Sequence, residues 1–286
     1  MKYIVVKALL GFGDRLESLK MCVDHALKNK CIIHVDWRDS VWSHGNESFY
    51  TYFKLDMPSV DSLHDIPSNS SIFPEYWNGK LHDILTYDTY AKNKNTIELG
   101  YKLPVCAEDV LVVTCYEGRI LYGDNTFFSN VFRVSNINII FKVLQNRNMI
   151  DSNTIGIHLR GTDRARGANK QSLIDKLDTK LLDGFLRECK VIAVSDDIEY
   201  ISLWKKKYSH PVLTNIVTSD VFAGLHQLPR DKIPVTKNEL NIDMLVDFFT
   251  LASCKYVFST CEDSRFSTEA KNLHHHVNKI LQLKDV

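Results

Sequence analysis

Several short apolar runs in this chain end in a cluster of polar residues, and that recurrence predicts its organisation. Tyr3-Ile4-Val5-Val6-Lys7-Ala8-Leu9-Leu10 is rich in β-formers and reads as a buried strand. Gly11-Phe12-Gly13-Asp14 breaks the run. From Arg15 to Asn29 the apolar positions Leu16, Leu19, Val23, Ala26 and Leu27 recur at helical spacing. Cys31-Ile32-Ile33-His34-Val35 reads as a second strand, closed by Asp36-Trp37-Arg38-Asp39. A strand–turn–helix–strand unit of this kind normally builds a parallel sheet. Residues 40–105 hold neither period and read as loops with short helices, before a strand over 110–115 and a helix over 135–148.

Around Asn146–Asp151 the chain turns polar and the pattern restarts. Residues 154–159 form a strand with Arg160-Gly161-Thr162-Asp163 as its exit loop, and 190–194 a strand ending in Ser195-Asp196-Asp197. A further strand is expected over 212–217, an amphipathic helix over 241–254, a strand over 256–259 and a last helix over 266–283. Strands alternating with helices give an α/β class. At roughly 150 residues per domain, 286 residues suit two Rossmann-like halves, residues 1–150 and 151–286. No solenoid repeat or low-complexity tract is present.

Composition narrows the function classes. Apolar residues at 44% and charged residues at 24% are ordinary for a globular protein, so a disordered or fibrous chain is excluded. Lys+Arg and Asp+Glu are both 35, so no basic excess points to nucleic acid. The apolar start is too short for a signal core and is interrupted by Lys7. No run approaches the ~18 apolar residues of a membrane span. The expectation is a soluble, cytoplasmic chain without a membrane span. Seven cysteines, an odd number with no C-x-x-C pair, read as reduced thiols. Sequons at Asn46 and Asn69 carry no weight without a secretory signal.

In open α/β sheets, ligands bind beyond the carboxyl ends of the strands. Four polar clusters fall at such ends: Gly11–Arg15, Asp36–Asp39, His158–Arg164 and Ser195–Asp197. Gly11-Phe12-Gly13 lacks the third glycine of the dinucleotide fingerprint, whose place is taken by Leu16, so a nicotinamide or flavin cofactor is disfavoured. Two readings remain for this turn: a backbone approach for an anion at a helix start, or a tight turn with Asp14 as N-cap. His158 and Arg160 alternate on one face of a strand end, with Arg164 after the turn. Such cations suit phosphate oxygens, and Asp163 could orient one of them. The other reading is a structural ion-pair cluster. Asp196 and Asp197 either cap the next helix or accept two N–H donors from guanine, where uracil offers one. The aromatics Trp37, Trp42, Phe49, Tyr50, Tyr52 and Phe53 suit core packing or stacking against an acceptor sugar. His274-His275-His276 diverge by ~100° per residue on a helix and make a poor metal cage.

His158-Leu159-Arg160-Gly161-Thr162-Asp163-Arg164 resembles the H-x-R-x-T-D-K/R motif of the α1,6-fucosyltransferases, which are related to protein O-fucosyltransferases. Leu10–Leu16 looks like that family's G-x-G-N-x-L loop and Val194–Asp197 like its (T/S)-D-D strand end. Asp247–Cys254 with Ser264-Arg265-Phe266-Ser267 is similar to its D-x-x-x-L-(S/A) helix and later serine loop. The resemblance implies a GT-B-type fold of two Rossmann-like domains facing a cleft. It implies GDP-fucose as donor, inversion at the anomeric centre, and no metal or other cofactor. By the same resemblance Arg160 holds the β-phosphate with His158 and Arg164 nearby, Asp197 and Asp247 lie near guanine or ribose, and Ser264 and Ser267 touch the diphosphate. Gly11, Gly13, Arg15, Asp163, Asp196, Arg265 and Phe266 complete the expected donor contacts.

Three positions depart from the family pattern. Ala168 stands where the core fucosyltransferases carry their catalytic glutamate. Glu262 and Asp263 lie in the serine loop, and Asp14 replaces an asparagine. A diphosphate leaving group needs cations, from a metal held by carboxylates or from arginines; the chain has no Asp-x-Asp sequence, which favours the arginine route. Inverting displacement also needs a base. Asp14 is the first choice, with Asp36, Asp39 and Glu17 as alternates. The expected partners are a nucleoside-diphosphate sugar, GDP-linked before UDP-linked, and a glycan acceptor. A UDP-xylose-type transferase, a catalytically silent sugar-nucleotide or glycan binder and a nicotinamide oxidoreductase are the rivals.

Overall fold

The computed structural model describes residues 2–99, 103–115, 125–161, 167–182, 189–218, 224–225, 228, 230–233 and 235–283. The strands are β1 (Tyr3–Ala8), β2 (Ile32–Asp36), β3 (Phe53–Leu55), β4 (Ile72–Phe73), β5 (Val110–Cys115), β6 (Phe132–Val134), β7 (Ile155–Leu159), β8 (Val191–Ser195) and β9 (Tyr256–Ser259). The α-helices are α1 (Phe12–Asn29), α2 (Tyr87–Ile97), α3 (Asn125–Val131), α4 (Ile137–Arg147), α5 (Lys170–Leu182), α6 (Ile198–Lys207), α7 (Lys237–Ala252), α8 (Arg265–Asn272) and α9 (Val277–Ile280). The chain packs as two compact units, Met1–Asn136 with Asn278–Val286, and Ile137–Val277.

The first unit is built on a parallel sheet of order β2-β1-β5-β4. Every residue of β1 is buried, as expected of a central parallel strand covered on both faces. Leu16, Leu19, Val23 and Ala26 form the buried stripe of α1. The N-cap of α1 is Gly11, not Asp14, which sits in the first turn. Helix α1 ends at Lys30, whose left-handed backbone (φ 54°) lets its N–H return to Ala26 O. Residues 40–105 are more ordered than their sequence suggests, containing β3, β4, α2 and several 3₁₀ turns. Strand β3 pairs with β6 in an antiparallel ribbon. Phe12, Trp37, Trp42, Phe49, Tyr52 and Phe53 are all at most 4% exposed, so the aromatic patch is core and offers no surface for a sugar. Tyr50 is half-buried, and its hydroxyl donates to Val60 O at 2.8 Å.

The second unit holds a parallel sheet of order β8-β7-β9. Its core is Ile155, Ile157, Leu159, Ile174, Leu177, Val191, Ala193, Tyr200 and Trp204. Helix α7 crosses β7 at Gly156, where an added Cβ would lie 2.9 Å from Leu251 Cδ2. Helix α4 packs on α7 through buried Ile139 and Val143, and Asn146 Nδ2 donates to Thr250 Oγ1 at 3.0 Å. The expected boundary at 150/151 assigns α4 to the first half, whereas its packing is with the second. Helix α7 begins four residues before the expected start, because Thr236 and Glu239 form a capping box. The expected strand over 212–217 reduces to a bridge from Val212 to Ala193. The expected last helix is broken at Leu273, where His274–His276 form a 3₁₀ turn and His274 Nδ1 lies 2.9 Å from Ala252 O. Cys22, Cys31, Cys106, Cys189, Cys254 and Cys261 are free thiols. No helix among the described residues is long and apolar enough to cross a membrane.

Candidate functional site

The polar clusters of the second unit converge at the carboxyl ends of β7, β8 and β9. Strand β7 delivers His158 and Arg160, β8 delivers Asp196 and Asp197, and the segment after β9 delivers Thr260 and Ser264. Thr260 N donates to His158 O at 3.1 Å, continuing the β7–β9 ladder, and Arg160 N donates to Thr260 Oγ1 at 2.9 Å. Arg160 Nη1 donates to Asp196 Oδ2 at 3.0 Å, and Gly161 N to Asp196 Oδ1 at 3.1 Å. The side chains of Arg160 and Asp196 are each 17% exposed, so this pair meets solvent.

His158 is different. It is 4% exposed, with Nδ1 3.3 Å from Ser264 Oγ and its ring 5.0 Å from that of Phe266. Burial, and then the Arg160 charge, push its pKa down to about 3. The imidazole is therefore neutral at physiological pH and adds no positive charge. Ser267 donates its hydroxyl to Ser264 O at 3.0 Å. Arg265 opens α8 beside it. Asp163 and Arg164 lie outside the described residues, and Ala168 is exposed.

Asp197 is committed to its own chain. Its Oδ1 accepts Glu199 N and Tyr200 N at 2.8 and 3.0 Å, capping α6, and its Oδ2 accepts Lys170 Nζ at 2.7 Å. It also leaves no room beside Gly161, where an added Cβ would fall 2.1 Å from Asp197 Cβ. Asp247, on α7, keeps an acceptor in hand. Thr214 Oγ1 donates to its Oδ2 at 2.6 Å, while Oδ1 is buried and finds no partner among the described residues. Burial first, then the neighbouring charge of Asp243, hold the Asp247 carboxyl well above the usual carboxylate range. Asp243 itself accepts Asn215 Nδ2 and Ile216 N at 2.9 and 2.8 Å.

The strand ends of the first unit hold the other expected residues. Gly11 and Gly13 open α1, and Asp14 is half-buried in its first turn. Arg15, expected among the donor contacts, is 1% exposed. Its Nη1 and Nη2 grip Asp39 at 2.9 and 2.7 Å, Nε donates to Leu10 O at 2.7 Å, and the guanidinium lies 5.4 Å from the Trp37 and Trp42 rings. This cation braces the glycine turn from inside. Asp36 accepts Lys7 Nζ at 2.5 Å and Arg38 Nε at 2.6 Å. Although burial pushes its pKa upward, the Arg38 hydrogen bond and the Lys7 charge hold it below the usual value. Asp36 is thus a poor proton acceptor, and both oxygens of Asp39 are held by Arg15. Glu17 is buried on α1.

Thr260, Thr214 and Lys170 were not expected from the sequence. Thr260 alone had a signal, as the polar residue directly after an apolar strand. Among the described residues no three His, Cys, Asp or Glu side chains form a metal-binding group.

No family model matches the sequence, and no curated protein does. Solved structures do. The fucosyltransferase NodZ from Bradyrhizobium is 17% identical, with a TM-score of 0.69 over 95% of this chain and 92% of that one. NodZ alpha-1,6-fucosyltransferase soaked with GDP-fucose gives 15% and 0.68, over 98% and 93%. POFUT1 in complex with GDP gives 12% and 0.54, over 98% and 97%. At these identities the likeness establishes the fold, which is α/β and of the GT-B type found in those fucosyltransferases.

Proposed function

We propose that the chain is an inverting, metal-independent glycosyltransferase that moves a sugar, with fucose from GDP-fucose as the leading donor, to a glycan hydroxyl. The observation that carries this reading is Arg160, solvent-reached at the carboxyl end of β7 within an H-x-R sequence. The likeness to structures solved with GDP and GDP-fucose supports it. An arginine there neutralises the departing diphosphate. Asp247 is the proposed contact to guanine or ribose, with its unpartnered Oδ1 as the acceptor for one donor of the nucleoside. Asp14 is the proposed base, from its place in the first turn of α1, just beyond the carboxyl end of β1, with Asp36, Asp39 and Glu17 as alternates.

A thermal-shift panel of GDP, UDP, ADP and NAD tests the donor. GDP should stabilise the protein most, and Arg160→Ala should weaken GDP by roughly 1.5–3 kcal/mol, the range for a hydrogen bond to a charged group. A clear preference for UDP would replace the fucose reading with a UDP-sugar transferase. Ala168 favours a second reading, a sugar-nucleotide or glycan binder without turnover. GDP binding with no transfer to any acceptor would select it.

A further inference from the structure

We propose that Asp196 is the positioning residue for Arg160, anchored on the next peptide N–H and fixing the guanidinium in the arrangement that receives the donor diphosphate. The inference rests on Arg160 being the diphosphate ligand.

The carboxylate of Asp196 spans two residues. Oδ2 takes Arg160 Nη1 at 3.0 Å and Oδ1 takes Gly161 N at 3.1 Å, so one planar group sets both a side-chain rotamer and a peptide plane. The same stretch of backbone is tied on its other side, where Arg160 N donates to Thr260 Oγ1 at 2.9 Å. The ends of β8 and β9 thereby hold the exit of β7 between them. Asp197 packs against Gly161, where even a Cβ would not fit, so this peptide has little room to shift. Asp196 is anchored in turn, its own carbonyl accepting Thr218 N at 3.1 Å.

Asp196 has the wrong sign to touch a diphosphate. The sequence places it among the donor contacts; the geometry gives it a role through the cation. Its negative charge has two opposed effects. It offsets part of the attraction of Arg160 for phosphate, and it removes the need for the ligand to order a long, flexible side chain. Orientation dominates here, because the carboxylate holds the guanidinium by Nη1 while fixing the backbone beneath it. The charge of Asp196 also adds, after burial and Asp243, to raising the pKa of the Asp247 carboxyl. Any effect through that residue appears with the nucleoside alone.

Calorimetric titration with GDP and with guanosine, on wild type, Asp196→Ala, Asp196→Asn, Arg160→Ala and the Arg160→Ala/Asp196→Ala double variant, tests the assignment. Asp196→Ala should weaken GDP by roughly 10- to 100-fold, the fold-change of one hydrogen bond to a charged group, and leave guanosine unchanged. Asp196→Asn keeps an acceptor for Gly161 N–H and should fall between Asp196→Ala and wild type; it carries the test if the alanine variant does not fold. The double variant should be no weaker than Arg160→Ala, since a residue acting only through Arg160 has nothing left to position. Tighter GDP binding by Asp196→Ala, equal losses for GDP and guanosine, or additive losses in the double variant would overturn the positioning role while leaving the donor reading intact. No GDP binding by wild type, or none lost in Arg160→Ala, would overturn the donor reading instead.

Discussion

Lowering the pH from 7 to 5 should destabilise the second unit, with His158 contributing a share that can be isolated. A histidine in the unfolded chain titrates near 6.5, while burial and Arg160 push His158 down to about 3. Below 6.5 the unfolded chain binds a proton that the folded chain refuses. The contribution of His158 is therefore complete above 6.5 and is lost progressively as the pH falls to about 3. At pH 5 the folded imidazole is still unprotonated, so proton uptake by the unfolded chain sets the loss. With one pKa unit equal to about 1.4 kcal/mol, linkage gives about 2 kcal/mol between pH 7 and pH 5. His158→Asn keeps a polar nitrogen near Ser264 Oγ and has nothing to titrate. Urea unfolding of both proteins at the two pH values, followed by fluorescence of Trp204, the one tryptophan of the second unit, isolates this residue. Other titrating groups, His210 among them, cancel in the difference. Equal pH sensitivity in the two proteins would refute the reasoning; it would mean that the native imidazole is charged and contributes to the cationic site.

Gly161→Ala should destabilise the second unit by about 1–3 kcal/mol, the range for an overpacked site, because the new Cβ would fall 2.1 Å from Asp197 Cβ; an unchanged urea midpoint would contradict the close approach. Turnover should persist in excess EDTA, and activity lost to chelator and restored by Mn²⁺ would sink the metal-independent reading. Asp14→Asn should lower kcat by about 10²–10⁴, with GDP affinity and Tm little changed. A near-normal kcat in that variant would remove Asp14 as the base.

The parallel strands were legible because burial on both faces writes them as continuous apolar runs, as in Ile4-Val5-Val6 and Val191-Ile192-Ala193-Val194. Helix α1 was legible from its apolar period. Strands β3 and β4 were not, since strands of three and two residues carry no period and exist through pairing with β6 and β5. The break at Leu273 was hidden too, because the apolar spacing continues past it. At the site, an apolar strand ending in His158-Leu159-Arg160 was enough to find the location. The sequence could not separate the two cations. One sits at the solvent edge; the other is enclosed by Phe266 and Ser264 and is neutral there. Arg15 looked like a ligand group for the same reason, and its burial depends on Asp39, twenty-four residues away. Asp196 and Asp197 are neighbours in sequence with different duties, decided by alternation at the end of β8.

The return of the chain to its first unit bears on how the protein can be dissected. Residues 278–286 belong with 1–136, and Gln282 Nε2 donates to Val134 O at 2.9 Å. A fragment ending at residue 150 would lack that closing segment and would carry α4 as an amphipathic passenger with Ile139 and Val143 exposed. Its complement, starting at 151, would leave the matching face of α7 uncovered. Both pieces would display apolar surface and tend to aggregate. Residues 137–277 form a continuous insert within a discontinuous host. A fragment that respects this packing is 137–277, whereas the first unit needs its two segments joined by a linker in the insert's place.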